Sequence, residues 1–517
     1  MPPFSARFLE RALLFTIVSH LIAMATMAMW LLPGVPGGTP ASIAERAAYI
    51  ANHPWLWRLG WFPWQMTAAS DLLLALALVR TSWVPRLPAI LSLLATVAAV
   101  LIEQPNEFRW ITQGVELARQ AVTARSYDGY LQFETTTYQL VSLWAAMCYT
   151  IAAIGWSWTF AAAGAWNRQL TWLSAAAWGI LLFVSAGPLA LGIDRIPEKV
   201  VAAGNACGFV LMMIWFALVA EQVLRRSRPD DAYGRYAPWR YPRRGALGAL
   251  VDLAANARLP RAIGELLPSP AFISDITHVV YVNYLVEAER LAPLVPPGLE
   301  LQRLGPGGRY ALFTFLTYRH GHFGPRFFGP LRRLLPSPVQ SNWRIHVRDP
   351  NMDITGIYFI STAISALPNA LAARFLSEGV PMHVPQSAEV TPRPDGSIVV
   401  RIEPGCGSAP DVDAVLSPAA APELIAPWSD CFADFHAFLA YCVPQDRAMS
   451  SQPWYRRITR QEIRLDIPLE ACRPLAGSVV SHAAYRIAGD AAPLCFGVTQ
   501  VAFRYDGEQY DTASDRG

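Results

Sequence analysis

Two different rhythms of apolar and polar positions divide the chain. As far as about residue 225, apolar residues come in unbroken runs of about 20, the length of helix that a hydrocarbon core about 30 Å thick requires. Six such runs predict membrane-spanning helices near Ala12–Leu32, Leu59–Val79, Pro85–Ile102, Tyr138–Phe160, Leu170–Leu191 and Val200–Val219. The first run is too long for a signal peptide and further spans follow it, so it reads as an uncleaved helix. Between the runs, 33–58 and 103–137 read as two longer loops of mixed charge, and Trp55, Trp57, Trp61 and Trp64 sit where an aromatic belt would lie.

Beyond Ser269 the runs shorten and begin to alternate, bounded by Gly, Pro and Asp. Strands are predicted at His278–Val286, Tyr310–Tyr318, Asn342–Arg348, Gly356–Thr362, Ala388–Pro392, Ser397–Glu403, Ile458–Ile467, Ser478–Ile487 and Leu494–Tyr505, with a hairpin turn at Asp395-Gly396. Short helices are predicted at Glu287–Leu294, Pro368–Leu376 and Asp434–Cys442. Many strands without a repeating strand-and-helix alternation predict a mainly antiparallel barrel or sandwich. The predicted organisation is a multi-pass helical bundle over 1–224, a basic linker over 225–268 and a separate β domain over 269–517.

Charge adds orientation. Only 16% of the 517 residues are charged and mean hydropathy is +0.26, so part of the chain has a solvent other than water. Arg7, Arg11, Arg80, Arg86 and Arg168 all fall on one side of a six-span bundle, together with the arginine-rich run after the last span. The positive-inside rule makes that side cytoplasmic, with both termini and the β domain there and the chain in the cytoplasmic membrane. Arg225, Arg226, Arg228, Arg243 and Arg244 form a juxtamembrane cluster of the kind anionic lipid head groups attract, which serves equally as a stop signal. The segment 246–267 then carries Leu247, Leu250, Val251 and Leu253 at helical spacing, an amphipathic helix for the membrane surface or for the next domain. A net charge of +3 with no basic stripe gives nucleic acid no footing.

Ionisable groups within spans are candidates for function. His20 and Asp71 lie at matching depths on helices of opposite direction, close enough to pair, as a proton or cation site or as one interhelical hydrogen bond. Asn205 and Glu103 fall nearer the outer interface and receive no role. Seven cysteines without a C-x-x-C pair suggest neither a disulfide framework nor a zinc module, and His320 with His322, two potential metal ligands without acids or cysteines nearby, read better as part of a flexible loop. Cys431 and His436, a turn apart, lack the third group a nucleophilic pair needs. No phosphate loop, dinucleotide fingerprint or G-x-S-x-G elbow occurs, so no cofactor is predicted.

The stretch HVVYVNYLVEAERLAPLVPPGLEL from His278, the YALFTFLTYR strand, the SNWRIHVRD strand and the GIYF strand, in that order, resemble an uncharacterised bacterial domain grouped with acetoacetate decarboxylase-like proteins. The matching positions are His278, the turn Leu294–Leu299, and Asn342 with Arg344, and the likeness spans roughly residues 270 to 510. It implies a closed, cone-like β-barrel with an internal pocket for a small oxo acid. It does not imply decarboxylation: that chemistry runs through a lysine imine, and Lys199 is the only lysine in the chain and lies outside this domain. Arginine stays protonated and is no substitute.

On an extended strand Asn342, Arg344, His346 and Arg348 share one face and Trp343, Ile345 and Val347 the other. If the polar face is interior, Asn342, Arg344, His346 and His278 become a carboxylate-binding wall; if exterior, it is a solvated face over a Trp343 core. Three functions follow: binding of a small anionic ligand, lysine-independent chemistry on an oxo acid with His346 or His278 moving the proton, or transport through His20 and Asp71 with the β domain as regulator.

Overall fold

The structure, a computed structural model, describes residues 3–510 apart from 40, 82–83, 163–165, 193–194, 227–238, 265, 268–270, 377–381, 444–445 and 453–456. The chain divides into two compact units, Met1–Arg228 and Pro229–Gly517.

The first unit is helical. It comprises α1 (Pro3–Thr26), α2 (Ile43–Asn52), α3 (Pro54–Arg80), α4 (Arg86–Ala124), α5 (Asp128–Tyr138), α6 (Ala146–Ala162), α7 (Arg168–Leu191) and α8 (Glu198–Arg226). Among the described residues six helices, including their π-helical continuations, are long and apolar enough to cross a membrane. Both predicted outer loops are instead largely helical. The 39 residues of α4 extend about 58 Å, twice a hydrocarbon core. α2 starts on a capping box in which Ser42 and Glu45 satisfy each other's backbone N–H.

Apolar patterning missed these extensions because they carry charge, and the charge is neutralised locally. Arg46 Nε and Nη2 donate to the two oxygens of buried Glu134 at 3.0 and 2.6 Å. The tryptophans also differ from a belt: Trp57 and Trp61 are buried, and Trp61 stacks on Trp110 at 5.2 Å, while Trp55 is exposed. They form the core that joins α2, α3, α4 and α5.

The second unit is a 14-stranded sheet: β1 (Phe272–Glu287), β2 (Glu300–Leu301), β3 (Tyr310–Arg319), β4 (Gly324–Pro325), β5 (Val339–Asp349), β6 (Ile354–Ile364), β7 (Met382–His383), β8 (Ser387–Pro392), β9 (Ile398–Glu403), β10 (Val412–Pro418), β11 (Arg447–Gln452), β12 (Arg457–Leu465), β13 (Arg473–Val480) and β14 (Leu494–Tyr510). Hydrogen-bonded neighbours run β1–β3–β5–β6–β11–β12–β14, and β14 pairs with β1 again. All these pairings are antiparallel except the short parallel contact of β6 with β11. That contact needs a glycine, since a Cβ on Gly356 would stand 2.3 Å from the Arg447 carbonyl oxygen. The Asp395-Gly396 turn closes the β8–β9 hairpin as expected, with Gly396 at φ 82° and Ser397 N–H donating to Asp395.

Helices α11 (Ala288–Leu291), α12 (Leu367–Leu376) and α13 (Phe435–Cys442) fall where short helices are predicted. The predicted strand Ser478–Ile487 holds only over Ser478–Val480, the end of β13: the chain turns at Ser481, whose hydroxyl accepts from Ala484 N–H, and continues as α14 (His482–Ala488). β10, β11 and the two-residue strands β2, β4 and β7 are additions. The basic linker is divided as well. Arg228 and the Arg226 side chain lie outside the described residues, whereas from Trp239 onward the segment belongs to the second unit. Trp239 is buried there and donates to the Met382 carbonyl at 2.9 Å. Of the amphipathic segment, α9 (Ala246–Asn256) lays Val251 and Ala255 on the same core and leaves Leu247, Leu250 and Leu253 exposed, and the short α10 (Leu259–Gly264) follows it.

Candidate functional site

β5 is buried on both faces, which resolves the alternation read from sequence. Trp343, Ile345 and Val347 enter one core with β8, β9, β10 and α14, while the polar face looks into the space ringed by the seven-strand path. Arg344 stands opposite Thr314 of β3 and Phe359 of β6, at a bulge that shifts the β6 register after Trp343. Its side chain lines an interior cavity of about 20 Å³ together with Asn342, Tyr281, Tyr318 and an aliphatic wall that includes Ile463, Leu465 and Val501. That volume holds about one water molecule, so the expected roomy pocket is nearly filled in this state.

Arg344 is 2% exposed. Its guanidinium lies over the Tyr281 ring at 5.5 Å, and its charge favours the ionised forms of the Tyr281 phenol and the Cys442 thiol. Nε and Nη2, the edge that a carboxylate grips with two parallel bonds, have no hydrogen-bond partner. No carboxylate lies within ion-pair distance among the described residues.

A hydrogen-bonded chain ends at the cavity wall, on Asn342 and Tyr318. His320 Nε2–H donates to Gln340 Oε1 at 2.8 Å, and its Nδ1 accepts from the Ser274 hydroxyl at 2.8 Å. Gln340 donates to Asn342 at 2.7 Å, and Asn342 donates to the Tyr318 hydroxyl at 3.1 Å, which leaves the Tyr318 proton free to point into the cavity. Burial pushes Tyr281 up to about 12 and raises Tyr318 too, so both phenols stay neutral. Burial, reinforced by the Arg344 charge, lowers His346 to about 3, and burial lowers His320 to about 4. His346 stacks on Tyr441 of α13 at 4.8 Å.

α13 covers this face. Asp434 caps it by accepting from Ala437 N–H, Phe435, Phe438 and Leu439 pack toward Tyr281 and Phe496, and Cys442 donates to Asn283 at 3.2 Å. Cys442 is a packed thiol pushed up to about 11 by burial, and Cys431 is raised as well, so neither is an activated nucleophile.

Thus Asn342 and Arg344 line one cavity, and His346 follows on the same strand face. His278 does not join them: it is half-buried at the β1 bulge with φ 54° and is absent from the cavity wall. His320 and His322 separate, one into the hydrogen-bonded chain and the other to a surface pocket. Tyr281, Tyr318 and Gln340 were not singled out from sequence, and His320 was weighed there only as a metal ligand; aromatic and polar residues alternating along these strands read as ordinary core until the register brings them together.

In the helical unit His20 Nε2 and Asp71 Oδ2 come within 3.8 Å, while His20 Nδ1–H donates to the Thr16 carbonyl at 2.9 Å. Two acids join this buried set: Glu103 accepts from the Tyr149 hydroxyl at 2.6 Å, and Glu107 accepts from Gln65.

Residues 274–394 match the family model DUF2071, described as an uncharacterized conserved protein. Acetoacetate decarboxylase from Legionella pneumophila is 13% identical, with 48% of this chain and 89% of that chain covered and a TM-score of 0.33. An acetoacetate decarboxylase-like enzyme from Sphingomonas wittichii is 10% identical, with 48% and 94% covered and a TM-score of 0.34. The enduracididine biosynthesis enzyme MppR, in a structure complexed with pyruvate, is 16% identical, with 47% and 91% covered and a TM-score of 0.33. No protein of curated function matches the chain. The C-terminal half thus resembles acetoacetate decarboxylase-like proteins, as its motifs imply.

Proposed function

We propose that this chain is anchored in the cytoplasmic membrane by its six apolar helices, with both termini cytoplasmic, and that its β unit is a closed barrel binding a small organic carboxylate. One observation carries the reading: the Arg344 guanidinium, on a residue that lines the cavity, is buried to 2% exposure with its Nε–Nη2 edge unpartnered. A buried charge without a counter-ion costs several kcal/mol, and a carboxylate seated on Arg344 removes that cost. Asn342 and Tyr318 then bond the rest of the ligand. His278 is retained only as a neighbour beyond the wall.

At about 20 Å³ the cavity has room for about one water and is too small for a carboxylate as it stands, so the aliphatic side chains of β12, Ile463 and Leu465, must swing aside on binding. An imine mechanism is closed to a unit without lysine. Proton transfer by His346 is disfavoured near neutrality, because a group lowered to about 3 is a poor base there.

The test expresses residues 229–517, which include the packed Trp239 segment, and screens thermal midpoints against two- to five-carbon carboxylates and oxo acids. A ligand of the native state raises the midpoint as its concentration passes its Kd. No response from any carboxylate, or an equal response from Arg344→Ala, sinks the proposal.

A second reading rests on the buried acids. Asp71, Glu103 and Glu107 with His20 supply the groups a proton- or cation-coupled transporter needs. In proteoliposomes Asp71→Asn is then expected to stop coupled flux while the carboxylate response of the β unit persists. Unchanged flux, or no flux in wild type, rejects transport.

A further inference from the structure

The surface of the β unit carries a feature that carboxylate binding does not use. The 3-10 run Arg326–Leu334, sequence RFFGPLRRL, holds Phe327, Leu331 and Leu334 at 76%, 64% and 83% exposure. Large apolar side chains so exposed and so close together mark a binding surface. Arg326, Arg332 and Arg333 are interleaved with them, and Arg326 and Arg333 are exposed too.

Beneath the run is a pocket of about 470 Å³, with Arg332, Arg333, His322, Asp275 and Ile273 in its wall. Arg332 is held in place: Nη1 donates to the carbonyls of Ile273 and His322 at 3.1 and 2.9 Å, with Asp275 at 3.8 Å. Arg333 has no hydrogen bond or ion pair among the described residues, and His322 Nδ1 is buried without a partner. Two guanidinium groups against one carboxylate leave the pocket positive.

We propose that this run docks on an anionic bilayer surface, with Phe327, Leu331 and Leu334 entering the interface and the pocket taking the phosphate of an acidic phospholipid head group. Interleaved apolar and basic side chains are what an interfacial anchor requires. A protein partner or a free phosphate would leave half of the feature unused, the cations in one case and the exposed apolar residues in the other. α9 supplies continuity: it packs on the cluster that also holds Phe323, just ahead of the run, and exposes Leu247, Leu250 and Leu253 behind Arg243 and Arg244. The inference rests on the membrane-anchored part of the proposed function and is independent of Arg344.

The full chain, reconstituted in lipid nanodiscs, is followed by amide hydrogen exchange over residues 322–336. Phosphatidylglycerol discs are expected to slow exchange several-fold relative to phosphatidylcholine discs. Phe327→Ser with Leu334→Ser should abolish the difference, and Arg333→Gln should reduce the underlying affinity about fivefold, the factor one arginine contributes near an anionic surface. Unchanged exchange in β1 and β5 reports an intact fold; if a variant misfolds, the wild-type lipid comparison decides. Equal exchange in the two lipids overturns the proposal. So does equal protection by soluble glycerol phosphate without acidic lipid, which marks a free-phosphate site, or protection seen only in crude membranes, which marks a protein partner. Failure of the chain to enter nanodiscs at all would instead overturn the membrane anchor.

Discussion

Arg344→Met is expected to raise the stability of the ligand-free β unit by about 1–3 kcal/mol while abolishing its response to carboxylates. The sign follows from what surrounds the side chain. Arg344 lies among Val279, Leu316, Ile357 and Phe359 and has no acid beside it among the described residues. A methionine fills nearly the same space, removes the desolvation penalty and gives up only the charge interactions with the Tyr281 ring and Cys442.

Arg460→Met is the internal contrast. Arg460 Nε donates to Asp349 at 2.8 Å, and Asp349 is 1% exposed, so removing the arginine leaves a buried carboxylate without its cation. That should cost about 3–5 kcal/mol. Denaturant midpoints of the two variants are expected to move in opposite directions from wild type. If Arg344→Met is destabilised as strongly as Arg460→Met, the Arg344 charge is already satisfied inside the protein and no ligand is needed to explain it.

This contrast shows what the sequence could and could not say about the site. Alternation along β5 correctly grouped Asn342, Arg344 and His346 on one face, because side-chain direction in a strand has a period of two. It could not say which face was interior, since a strand polar on one side and apolar on the other normally turns the polar side to water. The answer lies in long-range pairing: β8, β9, β10 and α14 cover Trp343, so both faces are enclosed. β11 was missed for a related reason. Its buried positions include Ser450 and Gln452, which carry no apolar signal until β6 and β12 flank them. In the helical unit the apolar runs located all six long helices. The helices within 43–52 and 103–138 escaped because their buried groups, Arg46 with Glu134 and Glu107 with Gln65, are charged or polar and find partners distant in sequence.

The β unit is expected to lose stability steeply between pH 6.5 and 5, and three buried histidines are the reason. Burial lowers His346 and His383 to about 3, with Arg344 and Arg374 respectively adding to the effect, and it lowers His320 to about 4. Each folded value lies below the ordinary histidine value of 6.5, so beneath that pH the unfolded chain binds more protons than the folded one. The contribution is therefore complete above pH 6.5 and is lost as pH falls toward the folded values. Each histidine costs about 2 kcal/mol by pH 5, and three together about 6, comparable to the whole stability of many domains. Urea unfolding of residues 229–517 at pH 7.5, 6 and 5 reads this slope, and His346→Gln should remove about a third of it. A carboxylate on Arg344 would offset the charge that helps to hold His346 low, so the slope should also flatten when the ligand is present. Stability independent of pH across this range would mean that these imidazoles are solvated or protonated in the folded state, and the dry, cation-lined interior inferred around Arg344 would fail with it.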